Sequence, residues 1–261
     1  HLFLYKKVNH QVERFLMMKY LYKSMKIRIF AFAAIAVLLL AACDDGRIYN
    51  EVAVDTTGRS ARLTATITGL DHWTDNYTVS LAGFAEGDDY ASISKAFQAN
   101  SEGQVTMTLN NIPDQVTSVR LCVLDRLRRN VVTFSEVATE GVRDTIRLEL
   151  GTVDASMLNA IQQGYLNTTC ANCHGASNHA AAGLNLTAGK SYAALVGVAS
   201  RKVEGHQLVV PGNATESVLH MVLHNEHVEG ISMNHFDLVS EKNAELILPL
   251  IDSWIDGGAE Q

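Results

Sequence analysis

"DASMLNAIQQGYLNTTCANCHG", residues 154–175, is where the chain changes texture. Upstream of it, apolar and polar residues alternate; within it, Met157, Leu158, Ile161 and Tyr165 recur at helical spacing. Asp154 is a good N-cap residue, so the stretch predicts a helix starting there. It closes on Cys170-Ala-Asn-Cys173-His174, two cysteines separated by two residues with a histidine directly behind. Three chemistries use such a pair: a metal site, a disulfide exchanger and a covalently attached haem.

A structural zinc site needs four ligands, commonly from two Cys/His pairs, and the sequence holds no second CxxC. His220, His224 and His227 would have to complete it. A thioredoxin-type CxxC follows a strand and opens a helix, whereas this one closes a helix among helices. Cys-x-x-Cys-His is the attachment signature of c-type haem. Two thiols add across the vinyl groups on one porphyrin edge, which carries the adjacent imidazole of His174 beneath the ring as an iron ligand.

Toward the N-terminus the text is β. "ARLTATITG" (61–69) alternates Leu63, Ala65 and Ile67 against Arg62, Thr64, Thr66 and Thr68. "NYTVSLAGF" (76–84), "GQVTMTLN" (103–110), "TSVRLCVLD" (117–125) and "DTIRLELG" (144–151) repeat the signal between turn-rich segments. Short strands with frequent turns predict an all-β domain over 60–150, an antiparallel Ig-like sandwich or small barrel. Cys122 sits mid-strand as a small buried hydrophobe.

Downstream, "ESVLHMVLHNEH" (216–227) predicts a helix with Val218, Leu219, Val222 and Leu223 inward. His220, His224 and His227 fall on one stripe of it, read as a solvated face, with metal ligation the sharper alternative. "SEKNAELILPLIDSWIDGG" (240–258) predicts a last helix capped by Ser240, ended by Gly257-Gly258 and kinked or locally broken at Pro249. Residues 151–261 therefore predict an all-α domain.

The N-terminal text bears on compartment. Residues 1–24 read as an upstream extension. From Met25, Lys26 and Arg28 precede an apolar run over Ile29–Leu40, shorter than a bilayer span but suited to a secretory signal. Leu40-Ala-Ala-Cys43 resembles the lipobox of bacterial lipoproteins. That resemblance implies a signal peptide over 25–42, acylation of Cys43, and a linker over 43–59. It further implies lipid anchorage to the inner or outer membrane of the cell envelope, facing the periplasm or the cell surface. Of the 21 basic and 28 acidic residues, seven and one precede Cys43, which leaves 14 against 27 and a net charge of −13. Such a surface excludes nucleic acid as a partner and would attract basic ones.

Residues 154–261 resemble the small class I-like cytochrome c domains at the ends of bacterial envelope proteins. The likeness rests on "CANCHG", "AAGLNL", "VVPGNATESVL" and "ISMNHFDLVSEKNAELILPLIDSWIDGGA". It implies one haem c held by Cys170 and Cys173, with His174 as proximal ligand and Met233 as distal ligand. It also implies a proline carbonyl supporting the proximal histidine, which matches Pro211, and a haem pocket supported by Tyr165 and Trp254. The family commonly has Pro after the ligand Met; here Asn234 follows, and His235 is the competing ligand. A Met/His pair raises the haem potential relative to two histidines.

The function implied is single-electron transfer to redox partner proteins, since no proton-transfer pair or nucleophile is evident. Two alternatives stand beside it. A labile sixth ligand would suit a haem enzyme or sensor acting on peroxide or a small gas. Without haem, the cysteines and histidines would make a non-haem metal-binding lipoprotein.

Overall fold

The computed structural model describes residues 58–98, 103–175, 180–225 and 227–261. The expected signal peptide, the lipidated Cys43 and residues 1–57 as a whole lie outside the described residues. No helix among the described residues is long and apolar enough to cross a membrane.

Seven strands come first: β1 (Arg59–Thr68), β2 (Tyr77–Ala85), β3 (Ile93–Ala96), β4 (Gly103–Ile112), β5 (Val116–Asp125), β6 (Asn130–Ala138) and β7 (Thr145–Asp154). They form two sheets, ordered β4-β1-β7 and β3-β2-β5-β6. The alternation in β1 sends Ala61, Leu63, Ala65 and Ile67 inward, all buried. They meet Leu81, Val119 and Leu121 from the other sheet in one hydrophobic cluster.

The expected antiparallel all-β domain needs correction. β1 pairs antiparallel with β4 but parallel with β7, with Leu63 opposite Met107 on one side and Leu148 on the other. The smaller sheet is therefore mixed. Period-two alternation reports which face is buried and carries no information on strand direction. β6 ends in one sheet and β7 joins the other, so no hairpin fixes β7 antiparallel to its neighbour.

The all-α C-terminal expectation is also corrected. Past Asp154 the helices are α1 (Met157–Ile161), a π-helical stretch Gln162–Cys170, α2 (Ala171–His174), α3 (Ser191–Leu195), α4 (Val218–His224) and α5 (Glu241–Asp256). Only α5, at 16 residues, exceeds about two turns. Between α3 and α4 the chain is loop stitched by isolated bridges, Val196 with Val209 and Gln207 with both Ala199 and Ser217. Gly197 and Gly212, both in left-handed backbone, and Pro211 forbid a helix through this stretch. The result is a loop-rich segment rather than an all-α cytochrome-like domain.

Local signals place the elements. Ser156, not Asp154, caps α1: its Oγ accepts from Asn159 N at 3.2 Å, while Asp154 Oδ1 accepts from Ser156 N at 2.9 Å. Ser240 caps α5 by accepting from Asn243 N at 3.2 Å, and α5 runs through Pro249 to Gly257. Tyr77, Val123 and Val132 of the larger sheet join Tyr165, Leu250, Trp254 and other helical residues in one cluster. Trp73 Nε1 donates to the Ala155 carbonyl at 2.8 Å, pinning the junction between the strands and α1. Arg129 to Glu245 and Lys242 to Asp89 add ion pairs between the strand region and α5.

Candidate functional site

The π-helical stretch gives the site its first wall. Nine residues with one extra residue per hydrogen-bonded turn are uncommon, and such stretches concentrate at functional positions. Here the stretch buries Tyr165 and ends on Cys170, after which α2 carries Cys173 and His174 one turn further. Cys170, Cys173, His174 and Tyr165 all line a single cavity of about 480 Å³, within the range that holds a large cofactor. Its apolar lining includes Leu186, Leu195, Leu219, Val222, Leu223 and Ile231. The loop from Gly230 to Leu238 supplies Met233 and His235. Arg201 and Lys202 line it as well and are exposed to solvent.

His174 is held in one tautomer. Its Nδ1–H donates to the Ala181 carbonyl at 3.0 Å, so Nε2 carries the lone pair and has no partner among the described residues. The turn offering that carbonyl is strained: Ala182 sits at φ 56°, in the left-handed region disfavoured for alanine. A carbonyl on the far ring nitrogen is the arrangement that orients metal-ligating histidines. Pro211, expected in that role, is exposed and does not line the cavity.

His235 is arranged in the same way. Its Nδ1–H donates to the Met233 carbonyl at 3.1 Å, which again leaves Nε2 without a partner among the described residues. Burial holds this imidazole below its ordinary pKa, against the backbone hydrogen bond that raises it, so the neutral ring is favoured. The rings of His174 and His235 are nearly parallel, 22° apart, with centroids 6.2 Å from each other. Met233 also lines the cavity, with 47% of its surface exposed.

Cys170 is not poised for disulfide exchange. Burial, with a smaller contribution from Cys173, pushes the Cys170 thiol up to about 12, whereas exchange chemistry needs a depressed value. Tyr165 adds a different signal. Its ring is fully buried and its hydroxyl finds no hydrogen-bond partner among the described residues. An unpaired buried hydroxyl is costly unless something in the adjacent space accepts from it.

Trp254, expected at the pocket, is buried in the core beside it and donates through Nε1 to the Glu260 carbonyl at 2.7 Å. It does not line the cavity. The histidine stripe divides. His220 and His224 reach Asp252 of α5, and His227 stays exposed past the end of α4. Ala181, the Tyr165 hydroxyl and Asp252 were not foreseen as polar partners, because each acquires its role only from tertiary placement. A left-handed alanine leaves no trace in sequence, and one aspartate in "LIDSWIDGG" looks like its neighbour.

No protein family, curated protein or solved structure matches this chain.

Proposed function

We propose that the chain carries one covalently attached haem c in this cavity and transfers single electrons. The observation that carries the reading is the state of His174. It directly follows the second cysteine of CxxCH, lines a largely apolar cavity, and keeps Nε2 free while Nδ1 is tied to a carbonyl. The residues fit the group. Both cysteines are free thiols at the cavity wall, and the volume suits a porphyrin. Arg201 and Lys202 would pair with propionates. The surrounding fold is not the expected all-α one, so the proposal rests on the site.

When bound, the group supplies an iron that takes up and releases one electron. The chain does the rest. Cys170 and Cys173 would hold the group, each thiol adding across one vinyl with its proton going to the neighbouring carbon, so that nothing would be oxidised or lost. His174 would hold the iron through Nε2. The apolar wall of α4 excludes water, which favours rapid electron exchange over ligand chemistry.

As the second protein ligand the observations favour His235 over Met233: the His174 and His235 rings lie nearly parallel with centroids 6.2 Å apart, and both keep Nε2 free among the described residues. Two histidines would set a lower potential than a Met/His pair and would leave no open position for peroxide or gas.

In this reading the protein is a bacterial envelope lipoprotein anchored through Cys43, and its net charge of −13 selects partners with basic docking surfaces. The test is expression from Cys43→Ser with haem-attachment machinery. Haem should remain on the denatured polypeptide and vanish from it in Cys170→Ala/Cys173→Ala. His235→Ala should then convert a low-spin spectrum to high-spin, with Met233→Ala leaving it unchanged. The reverse pattern, with a weak far-red ferric band lost in Met233→Ala, would return the ligand to Met233. No covalent haem at all would overturn the proposal.

A further inference from the structure

α4 presents two faces. Leu219, Val222 and Leu223 line the cavity, while His220 and His224, one turn apart, turn toward α5. There they share a single carboxylate. His220 Nδ1 lies 2.8 Å from Asp252 Oδ1, and His224 Nε2 lies 3.1 Å from Asp252 Oδ2. The two rings stack with centroids 4.1 Å apart and planes 26° apart.

One donor atom from each of the three residues falls within 4.8 Å of the others. Ligands at about 2.0–2.1 Å around a tetrahedral ion sit roughly 3.3 Å from one another. The two histidine–carboxylate distances are close to that spacing, so small side-chain adjustments would admit an ion. The donor set is also chemically coherent. Two imidazoles and one carboxylate suit a borderline divalent ion such as zinc, and histidines at i and i+4 are a recurrent way for one helix to offer two ligands. The three side chains are 21%, 34% and 25% exposed, so an ion can enter from solvent and keep water in its fourth position.

We infer that His220, His224 and Asp252 form a second metal site, separate from CxxCH, which binds a divalent first-row transition-metal ion and clamps α4 onto α5. The site does not depend on the haem reading: it shares no residue with the cavity lining, although α4 belongs to both. On binding, the ion takes the place of the hydrogen bonds to the carboxylate, and each neutral imidazole keeps its proton on the other ring nitrogen, exchanged through solvent. Its effect on the cavity is mechanical, since it fixes the helix that supplies one wall.

The test is calorimetric titration of the chelator-stripped Cys43→Ser chain with zinc ion, repeated on His224→Gln, Asp252→Asn and Cys170→Ser/Cys173→Ser. One equivalent should bind to the starting chain and to the double serine variant. His224→Gln and Asp252→Asn should each weaken that event by about 100-fold, no less than the upper end seen when an outer-shell partner is removed. Zinc should also raise the melting temperature of the starting chain and not that of His224→Gln, whose partly exposed position keeps the fold intact should Asp252→Asn unfold. Binding that survives both His224→Gln and Asp252→Asn, binding lost only with the cysteines, or no binding at millimolar zinc would each overturn the inference.

Discussion

Removing one oxygen from Tyr165 tests the cavity reading through stability. The ring is fully buried and the hydroxyl has no partner among the described residues. Burial, with a smaller contribution from Cys170, pushes its pKa up to about 12, so it is a neutral donor under ordinary conditions. Leaving such a group unsatisfied costs about 1–3 kcal/mol. Tyr165→Phe relieves that cost in the haem-free chain. The lost volume is roughly 15 Å³, which at about 24 cal/mol per Å³ returns some 0.4 kcal/mol. Because the side chain borders a cavity already, the net is a gain of about 1–2 kcal/mol in the haem-free chain. For a chain of this size that raises the melting temperature by about 2–8 °C. The hydroxyl has no accessible surface even toward the cavity, so a group bound there leaves it unpaired and the gain should persist with haem attached. Thermal unfolding of both proteins, expressed with and without attachment machinery, reads it directly. A Tyr165→Phe chain less stable than its parent would show that the hydroxyl already has a partner. A gain without haem that turns into a loss with it would show that the bound group reaches the hydroxyl.

Four further outcomes follow from the packing. Gly164→Ala should destabilise by about 1–3 kcal/mol in urea unfolding, outweighing its better helix propensity, because the added Cβ would lie 2.9 Å from Val132 Cγ2 and 3.3 Å from Ile247 Cδ1. Trp254→Ala should cost about 3–5 kcal/mol, since it empties a buried ring site and strands the Glu260 carbonyl. Ser240→Ala should cost about 1 kcal/mol by removing the cap of α5, seen in the same unfolding curves. Burial lifts the Cys122 thiol from 9.0 to about 12, so the native chain keeps a proton that the unfolded chain releases. The melting temperature of the haem-free chain should therefore fall as pH rises from about 9 toward 12, less steeply in Cys122→Ser, and Cys122 should resist alkylation at pH 8 while exposed Cys173 reacts.

What the sequence made legible was local. β1 was readable because Leu63, Ala65 and Ile67 occupy every second position and all face one core. β6 escaped notice because its pattern is weak: of its nine residues only Val132 is buried. The last helix was readable from Ser240 and the apolar spacing, and Pro249 misled only on the break, since α5 absorbs it. The parallel pairing of β7 with β1 depends on contacts between residues some 85 positions apart. No window of sequence holds that information.

The same division runs through the site, and it bears on how far the cofactor can be argued. Cys170, Cys173 and His174 are fixed relative to one another by covalent proximity, so their chemistry is written in five letters. What makes His174 a competent ligand is remote: a carbonyl seven residues on, presented by an alanine in left-handed backbone. His235 lies 61 positions away from His174, yet its ring sits parallel at 6.2 Å with its own Nδ1 engaged. Two imidazoles brought together with the same nitrogen left free are hard to explain as packing alone. Neutral histidines at a cavity wall gain little from facing each other, and burial disfavours the charged form of His235. An electrophile held by both rings would repay each at once, so the pair supports the proposed cofactor independently of the cysteine motif.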